Sequence, residues 1–195
     1  MFLFINYRKA LIYSKVAEMQ KTKVKYLSML IMIGLTIFLI YYPYRVMNEI
    51  VPFSFTNPEL WENHWMVEKG VAIPTGIRLA YLVLWLVPVL ATMAMTVIAM
   101  HFFHLMRQGV YFDPRTVRDV QLMGLCAVVS GAGITISYSV MNWLLTFMNV
   151  NDKRGIHFGY EPSEISLILT GIGLFIGGWV FKVVVLQDQE IKDFV

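Results

Sequence analysis

The chain has 195 residues, is 57% hydrophobic and only 15% charged, and carries a formal net charge of +3 with a mean hydropathy of +0.61. Soluble domains carry roughly a quarter charged residues, so this composition excludes a water-exposed globule and points to a bilayer. The single cysteine, Cys126, excludes an intrachain disulfide and offers too few ligands for a thiolate metal site; it reads as a small packed apolar residue.

A bilayer-crossing helix needs about 20 mostly apolar residues. Four stretches qualify: Leu27–Met47, Ala80–Leu105, Val120–Met148 and Ser163–Val185. Only a helix satisfies its own backbone in lipid, so the expected fold is an all-α membrane protein, a four-transmembrane-helix bundle forming one domain over residues 1–195.

Residues 1–26 mix apolar side chains (Phe2, Leu3, Phe4, Ile5, Leu11, Ile12) with Arg8, Lys9, Lys15, Lys21, Lys23 and Lys25. The basic residues follow the first apolar cluster and no small-residue cleavage site closes the next run, which argues against a cleaved signal peptide. The stretch reads as an interfacial amphipathic helix running into the first span, with the interleaved apolar residues favouring lipid headgroups over nucleic acid. That span closes on Tyr41, Tyr42, Pro43, Tyr44 and Arg45, an aromatic signature of a membrane–water interface.

The segment from Asn48 to Arg78 is the longest polar stretch. Asn57-Pro58-Glu59 is a helix start, and Trp61 and Trp65 follow on one helical face. They read as headgroup anchors, with an external ligand or partner surface as the alternative. In the second span Pro88 removes a donor and frees a carbonyl. Near the end of this span His101 and His104 share a face, with Met100 beside them.

The second and third spans meet in a dense turn, Gly109-Val110-Tyr111-Phe112-Asp113-Pro114-Arg115-Thr116. Gly109 suits a helix end, because without a Cβ it accepts positive φ. Asp113-Pro114 starts the next helix: the carboxylate accepts from free N–H groups, and Pro at the first position gives up an unpaired donor. In the third span Gly124, Ala127, Gly131, Thr135, Tyr138 and Asn142 form a small, weakly polar stripe that should face other helices. A polar loop, 149–162, leads to the fourth span. There Ser166, Thr170, Gly173 and Gly177 form a second small stripe, also expected at a helix contact. The tail from Gln187 is polar and acidic, with Asp188, Glu190 and Asp193.

Lys and Arg divide unevenly. Eleven of the sixteen lie in the N-terminal stretch, the turn and the tail, on one side of the four-span topology; Arg45, Lys69, Arg78, Lys153 and Arg154 lie on the other. Basic residues stay in the cytoplasm, so both termini and the turn are expected inside.

Catalytic signatures are missing: no Gly-x-Ser-x-Gly, His-Glu-x-x-His, phosphate-binding glycine loop or Cys-x-x-Cys, and no charge deep inside a span. The chain is therefore expected to be no enzyme, with no catalytic residues and no cofactor. His101 and His104 could ligate a metal or haem, but with no carboxylate close in sequence they read as interface packing, so no metal is expected.

The second half resembles a bacterial multi-span membrane protein family known as a domain of unknown function, family 2975. The resemblance covers roughly residues 100–195: Gly109-x-x-Phe112, then Thr116-Val117, then Gly124, and a last span running into Leu186-Gln187-Asp188-Gln189-Glu190. The family tail more often reads Glu-Glu-Asn-Asp-Leu, from which Gln189-Glu190-Ile191-Lys192-Asp193 departs. Members are commonly encoded beside a small helix-turn-helix regulator. The resemblance thus implies a bacterial cytoplasmic (inner) membrane protein that signals to a cytoplasmic partner and makes no direct contact with nucleic acid. Arg107, Arg115 and Arg118 of the turn, with Asp188, Glu190 and Asp193 of the tail, are the expected partner-binding residues. The weakly polar stripe from Thr135 to Asn142 suggests an alternative, a small homo-oligomeric transporter or channel subunit. The histidines suggest another, a membrane redox or metal protein.

Overall fold

In the computed structural model, residues 2–49, 74–111, 113–147 and 162–193 are described, with 2–18, 20, 47, 49 and 188–193 described as backbone alone. They form four helices and no strand: α1 Phe2–Glu49, α2 Thr75–Arg107, α3 Pro114–Phe147 and α4 Pro162–Asp193. The fold is an all-α four-helix bundle. All four helices are long and apolar enough to cross a bilayer. The expected interfacial segment Trp61 and Trp65, and the loop carrying Asp152, Lys153 and Arg154, lie outside the described residues.

α1 differs from the sequence expectation in one respect. It runs as a single helix of 48 residues, with no break at residue 26 and with Pro43 inside it. At 1.5 Å per residue it is about 72 Å long, more than twice a hydrocarbon core of about 30 Å, so the span and its basic extension share one axis. The other three helices, of 32 to 34 residues, also overrun the core.

The helices pack in chain order: α1 on α2, α2 on α3, α3 on α4, with no other helix pair in contact among the described residues. α3 is the spine. Over its apolar span 28% of residues are buried, against 6% for α1, because α3 alone is flanked on two well-packed sides. The outward faces carry Ile37, Ile40, Leu86, Leu90, Leu169 and Trp179, all exposed, as lipid-facing side chains can be at no cost.

The α3–α4 seam is built on glycine. A Cβ placed on Gly124 would stand 2.6 Å from the Gly171 carbonyl oxygen, and one on Gly171 would stand 2.7 Å from the Gly124 carbonyl oxygen and 2.8 Å from the Val128 nitrogen. The two backbones touch there. Gly131 faces Ile168, and Gly178 faces Gln121. Ala127, part of the expected stripe, is also buried. On α4, however, the face that meets α3 runs through Glu164, Ile168, Gly171, Phe175 and Gly178. Thr170, Gly173 and Gly177, expected at a contact, are exposed, and a Cβ on either glycine would meet nothing within 4 Å. The contact face is therefore turned by about half a revolution. Residues 171 and 173 are two apart, hence roughly 200° apart around a 3.6-residue helix.

The α2–α3 seam is polar. Pro88 has no N–H, so the carbonyl of Leu84, four residues earlier, has no partner in its own helix. Ser137 Oγ of α3 lies 2.9 Å from that oxygen and 2.7 Å from the Gly133 carbonyl of its own helix, so its one proton is shared between the two acceptors. One turn further on, Gly133 leaves room for the Pro88 ring, whose atoms would lie 3.3 Å from a Cβ placed there. Two turns from Ser137, Ser130 Oγ donates to the Pro88 carbonyl at 3.4 Å and lies 2.8 Å from Thr92 Oγ1. Trp85 packs edge-on against Tyr138 with ring centroids 5.4 Å apart. Asn142 is buried further along α3.

Candidate functional site

The turn between α2 and α3 is held by its own backbone and side chains. Gly109 has φ +81°, the left-handed conformation that a Cβ disfavours. Its N–H donates to the Met106 carbonyl at 3.1 Å, and the next N–H, of Val110, donates to the Leu105 carbonyl at 3.1 Å. This pair of bonds is the Schellman closure of a helix. α3 then begins with Asp113 Oδ1 accepting from the Arg115 N–H at 2.7 Å, while Thr116 Oγ1 donates to the Asp113 carbonyl at 2.7 Å. Thr116 is fully buried, so the turn is pinned from beneath.

Directly behind the turn, His101 Nδ1 of α2 donates to Asp119 Oδ2 of α3 at 2.6 Å. Asp119 is buried and the imidazole is half exposed, so a carboxylate shielded by both helices is met by a ring that still reaches the surface. The sequence expectation that no carboxylate stands near His101 is thereby corrected. Asp119 is remote along the chain, but the antiparallel turn brings the two together. His104, which shares the helix face of His101, accepts from Gln108 Nε2 at 2.9 Å. The two rings thus have separate partners, and the described residues contain no cluster of three or more His, Cys, Asp or Glu suited to a metal.

A second carboxylate, Glu164 in the first turn of α4, is buried and accepts from Thr135 Oγ1 of α3 at 2.8 Å. Its position suits a helix start, where the free N–H groups favour negative charge. Thr135 is therefore a tie between α3 and α4, and Thr92, Ser130 and Ser137 are ties between α2 and α3. The polar stripe reads as a pair of seams in which these hydroxyls bond across helix contacts.

At the surface of the turn, Arg107, Arg115 and Arg118 are all exposed. Arg115 Nε lies 4.0 Å from Asp113 Oδ1, a loose exposed pair. Arg118 and Lys182 edge a cleft of about 220 Å³ between the start of α3 and the far end of α4, with Pro114, Val117, Val185 and Leu186 as its apolar walls. α4 continues as helix through Asp193, so the acidic tail is an extension of the fourth span; the side chains of Asp188, Glu190 and Asp193 lie outside the described residues.

No protein-family profile, curated protein or solved structure matches this chain. Its class rests on its own helices: a multi-pass integral membrane protein.

Proposed function

We propose that this protein is a bacterial inner-membrane sensor, with both termini and the α2–α3 turn in the cytoplasm, that signals by binding a cytoplasmic protein at the turn. The cleft beside Arg118 and Lys182 carries this reading. The turn consumes its own carboxylates internally: Asp113 caps α3 and Asp119 is bound to His101. The exposed face is left basic around an apolar hollow, the pattern that receives an amphipathic helix with acidic residues flanking an apolar anchor. The resemblance noted above makes a small helix-turn-helix regulator the partner of choice.

Copurification of the full-length chain from native membranes tests this. A DNA-binding regulator recovered with the wild type, and lost from an Arg115→Glu, Arg118→Glu variant that still inserts, is the expected result. Undiminished recovery with that variant, and with a chain lacking Asp188–Val195, would move the docking site off the turn.

A further inference from the structure

Among the described residues α1 meets the rest of the molecule only through α2, and between them run two hollows that share one residue, Arg107. The first, about 300 Å³, is ringed by Lys21, Lys25, Arg107, Gln108 and the backbone of Gly109, with Tyr111 at its edge. The second, about 340 Å³, is mainly apolar and is lined by Met29, Met32, Ile33, Thr36, Ile37 and Arg107. Lys21, Lys25, Met29, Met32 and Thr36 recur at three- and four-residue spacing, so they form one stripe down α1, cationic at one end and apolar along the rest. Among the described residues, Lys21, Lys25 and Arg107 have no ion pair with a carboxylate.

We propose that this groove binds one anionic phospholipid, its phosphate held by Lys21, Lys25 and Arg107 and an acyl chain lying along Met29, Met32, Ile33 and Ile37. Dimensions and charge both favour a lipid over a free anion. From Met29 to Ile37 the helix rises about 12 Å, which fits inside one leaflet of a hydrocarbon core of about 30 Å. Lys21 and Lys25 stand one to two turns further out, at the depth of the headgroups. A free phosphate would use the basic hollow and leave the apolar one unfilled. Arg107 joins the two, its stem apolar and its guanidinium able to grip a phosphate with two parallel hydrogen bonds. Arg107 also belongs to the turn, so an occupied groove would tie α1 to the surface proposed to bind the partner.

Native mass spectrometry of the full-length protein in detergent, titrated with phosphatidylglycerol or phosphatidylcholine of the same acyl chains, tests the proposal. One tightly held phosphatidylglycerol, preferred at least tenfold over phosphatidylcholine, is expected. Replacing Lys21, Lys25 and Arg107 by Gln should weaken it on the order of a hundredfold, since each cation near an anionic surface contributes about a fivefold gain. Met32→Trp, which fills the apolar groove and leaves the cations in place, should also release the lipid. Inorganic phosphate at millimolar concentration should not displace it. Equal retention of the two lipids by the wild type overturns the proposal even if a variant fails to fold. So does displacement by inorganic phosphate with no effect of Met32→Trp, which would mark a free-anion site. The partner experiment leaves Lys21, Lys25 and Met32 untouched, so either reading can fail alone.

Discussion

The two sides of α3 solve the same problem by opposite means. Toward α4, glycines strip the interface of side chains until the carbonyl of Gly171 and the backbone of Gly124 meet. Toward α2, proline opens the backbone and serines fill the gap, with Ser137 bonded to the carbonyl that Pro88 frees and His101 bonded to Asp119. In lipid, apolar burial does not distinguish a neighbouring helix from a lipid tail, so association depends on close van der Waals contact and on interhelical hydrogen bonds. The α4 seam rests mainly on the first device, with the Thr135–Glu164 bond added, and the α2 seam mainly on the second, with Gly133 making room for Pro88. The glycine seam has no tolerance for added volume. The polar seam has no tolerance for a lost partner, and because its bonds are separate it should fail in smaller steps.

The largest effect is expected on the glycine side. Gly124→Leu would drive a side chain into the backbone of Gly171 and Phe175, and overpacking of this kind costs about 1–3 kcal/mol, more where only backbone stands in the way. Thermal unfolding in detergent should show a large drop or no folded protein. On the polar side, His101→Ala leaves the Asp119 carboxylate buried without its partner. The half-exposed ring admits some water, so a cost of about 1–3 kcal/mol is expected. Asp119→Asn should be milder, because the amide can still bond the ring. Denaturation of the two variants side by side checks that order. Ser137→Ala is expected to cost least, about 0.6 kcal/mol, the average for a hydrogen bond between membrane helices. It has a sharper form: in a Pro88→Ala background, residue 88 regains the N–H that pairs Leu84, so removing Ser137 should cost almost nothing. A double-mutant cycle showing no coupling between Pro88 and Ser137 would detach the serine from the proline.

The sequence made the four spans and the turn legible, because length and apolarity define a span and because Gly109 and Asp113-Pro114 have strong local preferences. It did not fix which face of α4 is turned inward. Small residues occur all around that helix (Gly171, Gly173, Gly177, Gly178), and outward side chains are as apolar as inward ones, so no period separates the lipid face from the contact face. The His101–Asp119 pair was missed for a different reason: the search for a carboxylate stayed local in sequence. A signal was available. Two helices joined by a tight turn pair residues equally far from it, and Val110 lies midway between His101 and Asp119; Thr92 with Ser130 and Leu84 with Ser137 follow nearly the same rule. The groove between α1 and α2 had only half a signal, the stripe of Lys21, Lys25, Met29 and Met32, since its other wall comes from residues at the far end of α2 and the turn, remote along the chain.

α3 is the spine against which α4 lays its Gly171 face. Comparing the melting temperatures of Gly171→Leu and Gly173→Leu in the same detergent tests it most directly, because the two sites are neighbours with the same substitution. Gly171→Leu should show a substantial loss, by at least the roughly 1–3 kcal/mol of an overpacked contact, and Gly173→Leu a change within about 0.5 kcal/mol, as at a surface site. Equal losses at both positions, or a loss confined to Gly173→Leu, would contradict it.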